Sequence, residues 1–145
     1  MKGSYVLVVH LPEAQSITIG RLGDVYFRSG YYAYVGSAMG GLSARLNRHL
    51  QRVGRPHWHI DYLREKASVT GIFLAESQQR YECAMAQAFE GQLDSVANFD
   101  SSDCQCRSHL FFSPDESQIK QVITEVFDRL KLRKNQKMEI DRFPG

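Results

Sequence analysis

Between Ser4 and Leu11 the chain is apolar and β-rich almost without a break, and Pro12 closes the run. Such a stretch reads as a buried strand, whose backbone groups must be paired within a sheet. The partners follow in order. Ile17 and Ile19 alternate with Thr18 and Gly20, Arg21-Leu22-Gly23-Asp24 has turn chemistry, and Val25-Tyr26-Phe27 is a second short strand. This stretch predicts a hairpin. Gly30 then opens a further strand over Tyr31-Tyr32-Ala33-Tyr34-Val35.

Gly36 to Gly41 is a loop of small residues, and the helix after it carries Leu42, Leu46 and Leu50 as one apolar stripe. Gly54-Arg55-Pro56 breaks that helix. A short helix over His59 to Lys66, a strand over Val69 to Leu74 and a helix from Arg80 to Phe89, stopped near Gly91, come next. Residues Ala97 to Ser108 are polar and loop-like, and Leu110-Phe111-Phe112 suits a strand. Asp115 to Leu132 predicts a helix with Ile119, Val122, Ile123, Val126 and Leu130 on its apolar face. The element order is that of an α+β domain. At 145 residues, 43% apolar and 23% charged, the chain fits one globular domain. We expect the domain proper over 1–112, a C-terminal helix packed on it over 113–132, and a flexible charged tail over 133–145.

Val6-Leu7-Val8-Val9 is interrupted by His10 and Pro12 too early for a signal-peptide core or a membrane span. Three cysteines, an odd number, argue against a disulfide framework. Both points lead us to expect a cytoplasmic protein with no membrane partner. A net charge of +2 is too small to imply nucleic acid by itself, so that case depends on where the charge sits.

It sits after the fourth strand. Tyr34-Val35-Gly36-Ser37 runs into Leu42-Ser43-Ala44-Arg45-Leu46-Asn47-Arg48-His49-Leu50. Gly36 would let the chain turn where a side chain would obstruct a substrate backbone. Arg45 and His49 share a helix face at i, i+4, and Arg48 and Arg52 share one beside it. With the leucines buried, these basic residues should point to solvent or a groove. Together with Arg55, His57 and His59 they form a patch suited to phosphate. The plainer alternative is a solvated helix face. Tyr34 could equally be packing, Arg45 could be paired with an acid, and Asp61 or His59 could cap the short helix while Trp58 fills the core.

This segment resembles the GIY-YIG nuclease superfamily, in which a Tyr-Ile-Gly-like triplet ends a strand and an Arg, often followed by a His, lies on the next helix. Tyr34-Val35-Gly36 matches the triplet, Arg45 the arginine and His49 the histidine. Gly3-Ser4-Tyr5 is the best match to the first half-motif, and Glu82 occupies the place of the metal-binding acid. A hairpin separates the two half-motifs, and the family's late Asn has no equivalent. The runs Gly30 to Ala38, His57 to Leu63 and Ser102 to Phe111 are similar to those of a small Uri-type branch that shares the hairpin.

The resemblance implies a small central mixed or antiparallel β-sheet flanked by helices, with the hairpin as an insertion. It also implies an endonuclease that hydrolyses phosphodiester bonds in nucleic acid, DNA being expected as partner before RNA, with one Mg²⁺ or Mn²⁺ held by Glu82. Arg45 would clamp phosphate, and Tyr5, Tyr34 or His49 would serve as general base. A tyrosine near its ordinary pKa is a poor base, so a metal or arginine would have to lower it. Gly36, Ser37, Arg48, Arg52, Arg55, His57 and His59 would contact the nucleic acid. With so few phosphate contacts, binding should be modest and salt-sensitive.

A second cluster, Cys104, Cys106 and His109, could ligate zinc if His57, His59 or Asp103 supplied a fourth donor. The favoured reading is instead a loop near the active site hydrogen-bonded through Asp103, Ser108 and His109, with Cys83 a small core residue. Two other functions remain open: a non-catalytic nucleic-acid-binding module on the same scaffold, and a zinc-stabilised protein-interaction adaptor.

Overall fold

Strand β1 (Gly3–Leu11) lies inside a sheet, paired antiparallel with β4 (Gly30–Ala38) on one side and with β5 (Ser68–Glu76) on the other. The computed structural model describes residues 2–50, 55–101, 104–132 and 136–139. Within these, β2 (Gln15–Ile19) and β3 (Gly23–Phe27) pair as a separate two-stranded hairpin across a 3-10 turn. Helices α1 (Leu42–Leu50) and α2 (His59–Arg64) precede β5. After it come α3 (Glu82–Glu90), β6 (Asp94–Ser95), β7 (Leu110–Ser113), α4 (Glu116–Arg129) and β8 (Gln136–Glu139). The main sheet runs β6-β7-β4-β1-β5-β8, with every neighbouring pair antiparallel. The α+β architecture expected from the sequence is therefore present.

The unbroken apolar character of β1 has a physical reason: both of its faces are covered. Tyr5, Leu7, Val9 and Leu11 face one core, shared with the hairpin residues Ile17, Ile19 and Phe27 and with Ile60 and Leu63 of α2. Val6 and Val8 face a second core, shared with Met85, Ala86 and Phe89 of α3 and Ile119, Ile123, Val126 and Phe127 of α4. Successive strand residues point to opposite faces, so a strand covered on both sides is apolar at every position. Each large side chain buried this way contributes about 1.5–3 kcal/mol. Asp115 caps α4 by accepting from the Ser117 N–H at 2.9 Å.

Several boundaries differ from the sequence reading. The segment read as a loop from Gly36 begins as strand, since β4 runs on to Ala38 opposite Gly3. Ladder pairing with β1 overrides the weak strand preference of Gly and Ser. Helix α3 begins at Glu82, and the N–H of Tyr81, its N-cap, is fastened at 3.0 Å to the Ser4 hydroxyl of β1. In the segment read as a flexible tail, residues 136–139 form β8 on the outer side of β5, where an open strand edge needs a partner. The side chains of Leu42, Leu46 and Leu50, and all of Arg52, Ser102 and Asp103, lie outside the described residues. Among the described residues no helix is long and apolar enough to cross a membrane.

Gly36 stands opposite Tyr5 in the β1–β4 ladder. A Cβ at Gly36 would collide with Cζ and Oη of Tyr5, whose ring lies across the glycine. Its role is therefore to accept a tyrosine ring within the sheet, a correction to the expectation of a turn clearing space for substrate. Gly36→Ala should destabilise the protein by about 1–3 kcal/mol, the usual cost of overpacking. In urea unfolding, the double variant Tyr5→Ala/Gly36→Ala should lose less than the sum of the two single losses. Additive losses would contradict this packing.

Candidate functional site

A cleft of about 820 Å³ opens beside the second half of β4. Strand β4 contributes Tyr34, Gly36 and Ser37 to its wall, and α1 contributes Arg45. The entry to α2 adds His57, Trp58 and His59, and α3 adds Glu82 and Cys83. The loop before β7 adds Asp100, Cys104 and His109. Arg80, just before α3, also lines the cleft and is exposed.

Two carboxylates build the α2 side. Asp61 is 2% exposed and accepts from the backbone N–H groups of His57 (2.8 Å) and Trp58 (3.0 Å) and from Arg48 Nη2 (2.7 Å). Asp100 accepts from the next two N–H groups, of His59 (3.0 Å) and Ile60 (3.2 Å). The first turn of a helix leaves such donors orphaned, and two acids from different parts of the chain satisfy them here. Asp61 thus caps α2, one of the alternatives considered from sequence. The Asp100 N–H in turn donates to His59 Nδ1 at 2.8 Å, so neutral His59 carries its proton on Nε2.

The basic residues are held by Trp58 and by the backbone. The guanidinium of Arg45 sits 4.4 Å from the Trp58 ring centre and that of Arg48 4.8 Å from it, cation–π distances. Arg45 Nη1 also donates to the Ser37 carbonyl at 3.0 Å, tying α1 to the end of β4. Trp58 is half-buried and packs against the first core. Arg48, Arg55 and His57 are exposed. Arg48 is already paired with Asp61, and of these three only His57 lines the cleft.

His49 does not follow the expectation that the basic face of α1 points outward. It is 2% exposed and turned toward the sheet, where Nε2 lies 2.7 Å from Tyr5 Oη, while its buried Nδ1 has no partner among the described residues. Burial pushes its pKa down to about 4, with Arg45, Arg64 and Arg48 acting in the same direction and Asp61 opposing. Burial raises the Tyr5 phenol well above its ordinary value, and Arg45 offsets only part of this. Tyr34 is raised too, first by burial and then by Tyr5, Asp100 and Glu82. At neutral pH His49 is therefore uncharged and both phenols keep their protons. Of the two means expected to lower a tyrosine, a metal or an arginine, the arginine is outweighed by burial at Tyr5. Tyr5 and His49 lie behind the cleft wall, whereas Tyr34, Arg45 and Glu82 are on it.

The cysteine cluster gains a member that sequence reasoning placed elsewhere. Cys83, read as a core residue, joins Cys104, Cys106 and His109, and one ligand atom from each lies within 4.8 Å of all the others. His59 is occupied with Asp100, and Asp103 lies outside the described residues. Burial raises the Cys83 and Cys106 thiols and lowers His109. Glu82 Oε2 stands 3.9 Å from His109 Nδ1. Ser108 bonds locally, to the backbone of Leu110. Besides Cys83, the sequence reading missed Asp100 and Arg80. For Cys83 a signal existed, since three cysteines and one histidine make a complete set of four ligands.

The buried neutral His49 sets a pH dependence. Unfolded, it titrates near its ordinary value of about 6.5; folded, near about 4. Between these values the unfolded chain binds a proton that the folded one does not. Its contribution is thus full above about pH 6.5 and is lost as pH falls toward about 4. Between about pH 7 and about pH 5 the wild type should lose about 2 kcal/mol more stability in urea than His49→Gln. Equal losses would contradict a buried neutral His49.

No curated protein and no solved structure matches the chain. A family match spans residues 4–132, from β1 through the end of α4, and on it the chain belongs to the domain of unknown function DUF123.

Proposed function

We propose that this domain is a cytoplasmic, divalent-metal-dependent endonuclease of GIY-YIG type, hydrolysing phosphodiester bonds in nucleic acid, DNA being the first substrate to test. The observation that carries the reading is the meeting of Tyr34, Arg45 and Glu82, from three separate elements, on the wall of one cleft. A phosphodiesterase needs a positioned water, positive charge at the phosphoryl oxygens and help for the leaving oxygen. A phenol, a guanidinium and a carboxylate suit those tasks.

Glu82 is the residue that would hold the metal. Its carboxylate is partly exposed on the cleft wall, whereas both oxygens of Asp100 are engaged by the N–H groups of α2. A hard cation such as Mg²⁺ accepts a single protein carboxylate and completes its shell with water and phosphate oxygens. When bound, it would supply Lewis-acid charge and lower the pKa of a water. Arg45, fixed by the Ser37 carbonyl and the Trp58 ring, has further N–H donors for a phosphate. Tyr34 Oη carries its proton in the resting state and orients a water by hydrogen bonding. It becomes a base only where added positive charge offsets its burial. His59, with its proton on Nε2, is a further donor in the cleft. Tyr5 and His49 are positioning residues, since their 2.7 Å bond ties α1, and with it Arg45, to the sheet. His57 and Arg80 extend the basic rim toward the nucleic-acid backbone.

The test is cleavage of labelled single-stranded, duplex and branched DNA and of RNA, with Mg²⁺, with Mn²⁺ and with neither. Arg45→Ala and Glu82→Ala should each lower cutting by about 10²-fold or more, a usual loss for a charge-stabilising group. Glu82→Ala should still bind the substrate. Cutting that survives Glu82→Ala unchanged would overturn the metal assignment. Binding without cutting of any substrate would make the domain a nucleic-acid-binding module.

A further inference from the structure

We propose that Cys83, Cys104, Cys106 and His109 form a closed structural zinc site that clips the first turn of α3 to the loop before β7. The inference does not depend on the nuclease reading.

Geometry comes first. In a tetrahedral zinc site, Zn–S bonds of about 2.3 Å and Zn–N bonds of about 2.0 Å put neighbouring donor atoms about 3.5–3.8 Å apart. Cys104 Sγ and His109 Nε2 are already 3.4 Å apart, and all four donors fall within 4.8 Å of one another. Closing the remaining gap takes about 1 Å of side-chain movement relative to those ideal spacings.

The donor chemistry selects the metal. Three thiolates and one imidazole are a soft set, matched to zinc and unsuited to Mg²⁺ or Ca²⁺. All three cysteines are free and half-buried, and an odd number of thiols in one cluster cannot be consumed by internal disulfides. Four protein ligands leave no open position for a water, so the site braces the fold and does not activate a nucleophile.

Two ligands sit on firmly held backbone. Cys83 is in the first turn of α3, which the Ser4 hydroxyl fastens to β1 through Tyr81 N–H. The carbonyl of His109 accepts from Val35 N–H at 2.9 Å, and its N–H donates to the Phe99 carbonyl at 3.0 Å. The other two, Cys104 and Cys106, lie in an irregular stretch that this site would pin. On binding, the three thiol protons leave to solvent and the sulfurs donate electron pairs to the ion. Three thiolates and Zn²⁺ then give the site a charge of −1. His109, ligating through Nε2, keeps its proton on Nδ1, which faces the Glu82 carboxylate at 3.9 Å. A carboxylate behind a zinc-bound histidine is a recurrent second partner that fixes the ring and strengthens the ligand. The site would thereby brace the Glu82 side of the cleft.

The test is metal analysis of the full chain purified from zinc-supplemented medium, with Co²⁺ substitution as the spectroscopic probe. The wild type should carry about one zinc per chain, the stoichiometry of a single Cys3His site. Reconstitution with Co²⁺ should give the visible bands of tetrahedral thiolate-ligated cobalt. Cys83→Ser and Cys106→Ser should each reduce bound zinc and weaken those bands. Should the variants fail to fold, the wild-type Co²⁺ titration decides alone. A folded wild type with neither zinc nor cobalt bands would overturn the site, as would full zinc retention in a folded Cys83→Ser variant. Bound zinc without cleavage would leave this inference standing and count against the nuclease; cleavage without zinc would do the reverse.

Discussion

The ring of Tyr5 laid across Gly36 is the contact on which the cleft side of the molecule depends. It is possible only because position 36 has no side chain, and it brings the phenol within 2.7 Å of His49. One tyrosine thus joins β1, β4 and α1. His49 is held on α1 one turn from Arg45, so the placement of Arg45 on the cleft wall follows from the Tyr5–His49 bond. The Ser37 carbonyl and the Arg64 Nε bond to the His49 carbonyl at 2.8 Å complete the attachment of α1.

Alternation along β1 carries the architecture further. Tyr5 points to the face covered by the hairpin and α2, while Ser4 receives the N–H at the start of α3. Two consecutive residues therefore position two parts of one cleft's lining: Tyr5 through α1 and Arg45, Ser4 through α3 and Glu82. The proposed hard-metal position and the proposed zinc site meet at that second wall, where Glu82 and Cys83 are neighbours in the chain. They differ in donor chemistry, an oxygen ligand on one residue and a sulfur on the next, a difference that would sort a hard from a soft metal at short range.

Much of the fold was legible because periodicity reports burial. The continuous apolar run of β1, the alternation in β2 and the stripe Ile119, Val122, Ile123 and Val126 each identified an element correctly. What failed was set by contacts distant in sequence. Gly36 and Ser37 have loop-like composition, and only pairing with β1 makes them strand. His49 looked like part of a solvated basic face, since i, i+4 spacing gives a shared side and not which side is buried. Asp100 lay in a polar stretch with no periodic signal, yet it caps a helix forty residues earlier in the chain. Cys83 looked like helix core because nothing in its local spacing refers to Cys104 or His109. Local pattern thus gave most of the elements and part of the cleft, while β8 and the pairing that brings Asp100 to α2 and Cys83 to Cys104 depend on contacts distant in sequence.

On the proposed function, one cleft holds an oxygen-ligated divalent ion at Glu82 and a phosphate at Arg45 together. Paramagnetic Mn²⁺, titrated into isotopically labelled protein with a short branched DNA present, reads both at once. Amide broadening should centre on Glu82, reach Arg45, Tyr34 and Asp100, and vanish in Glu82→Ala. Broadening centred elsewhere, or unchanged in Glu82→Ala, would rule this arrangement out.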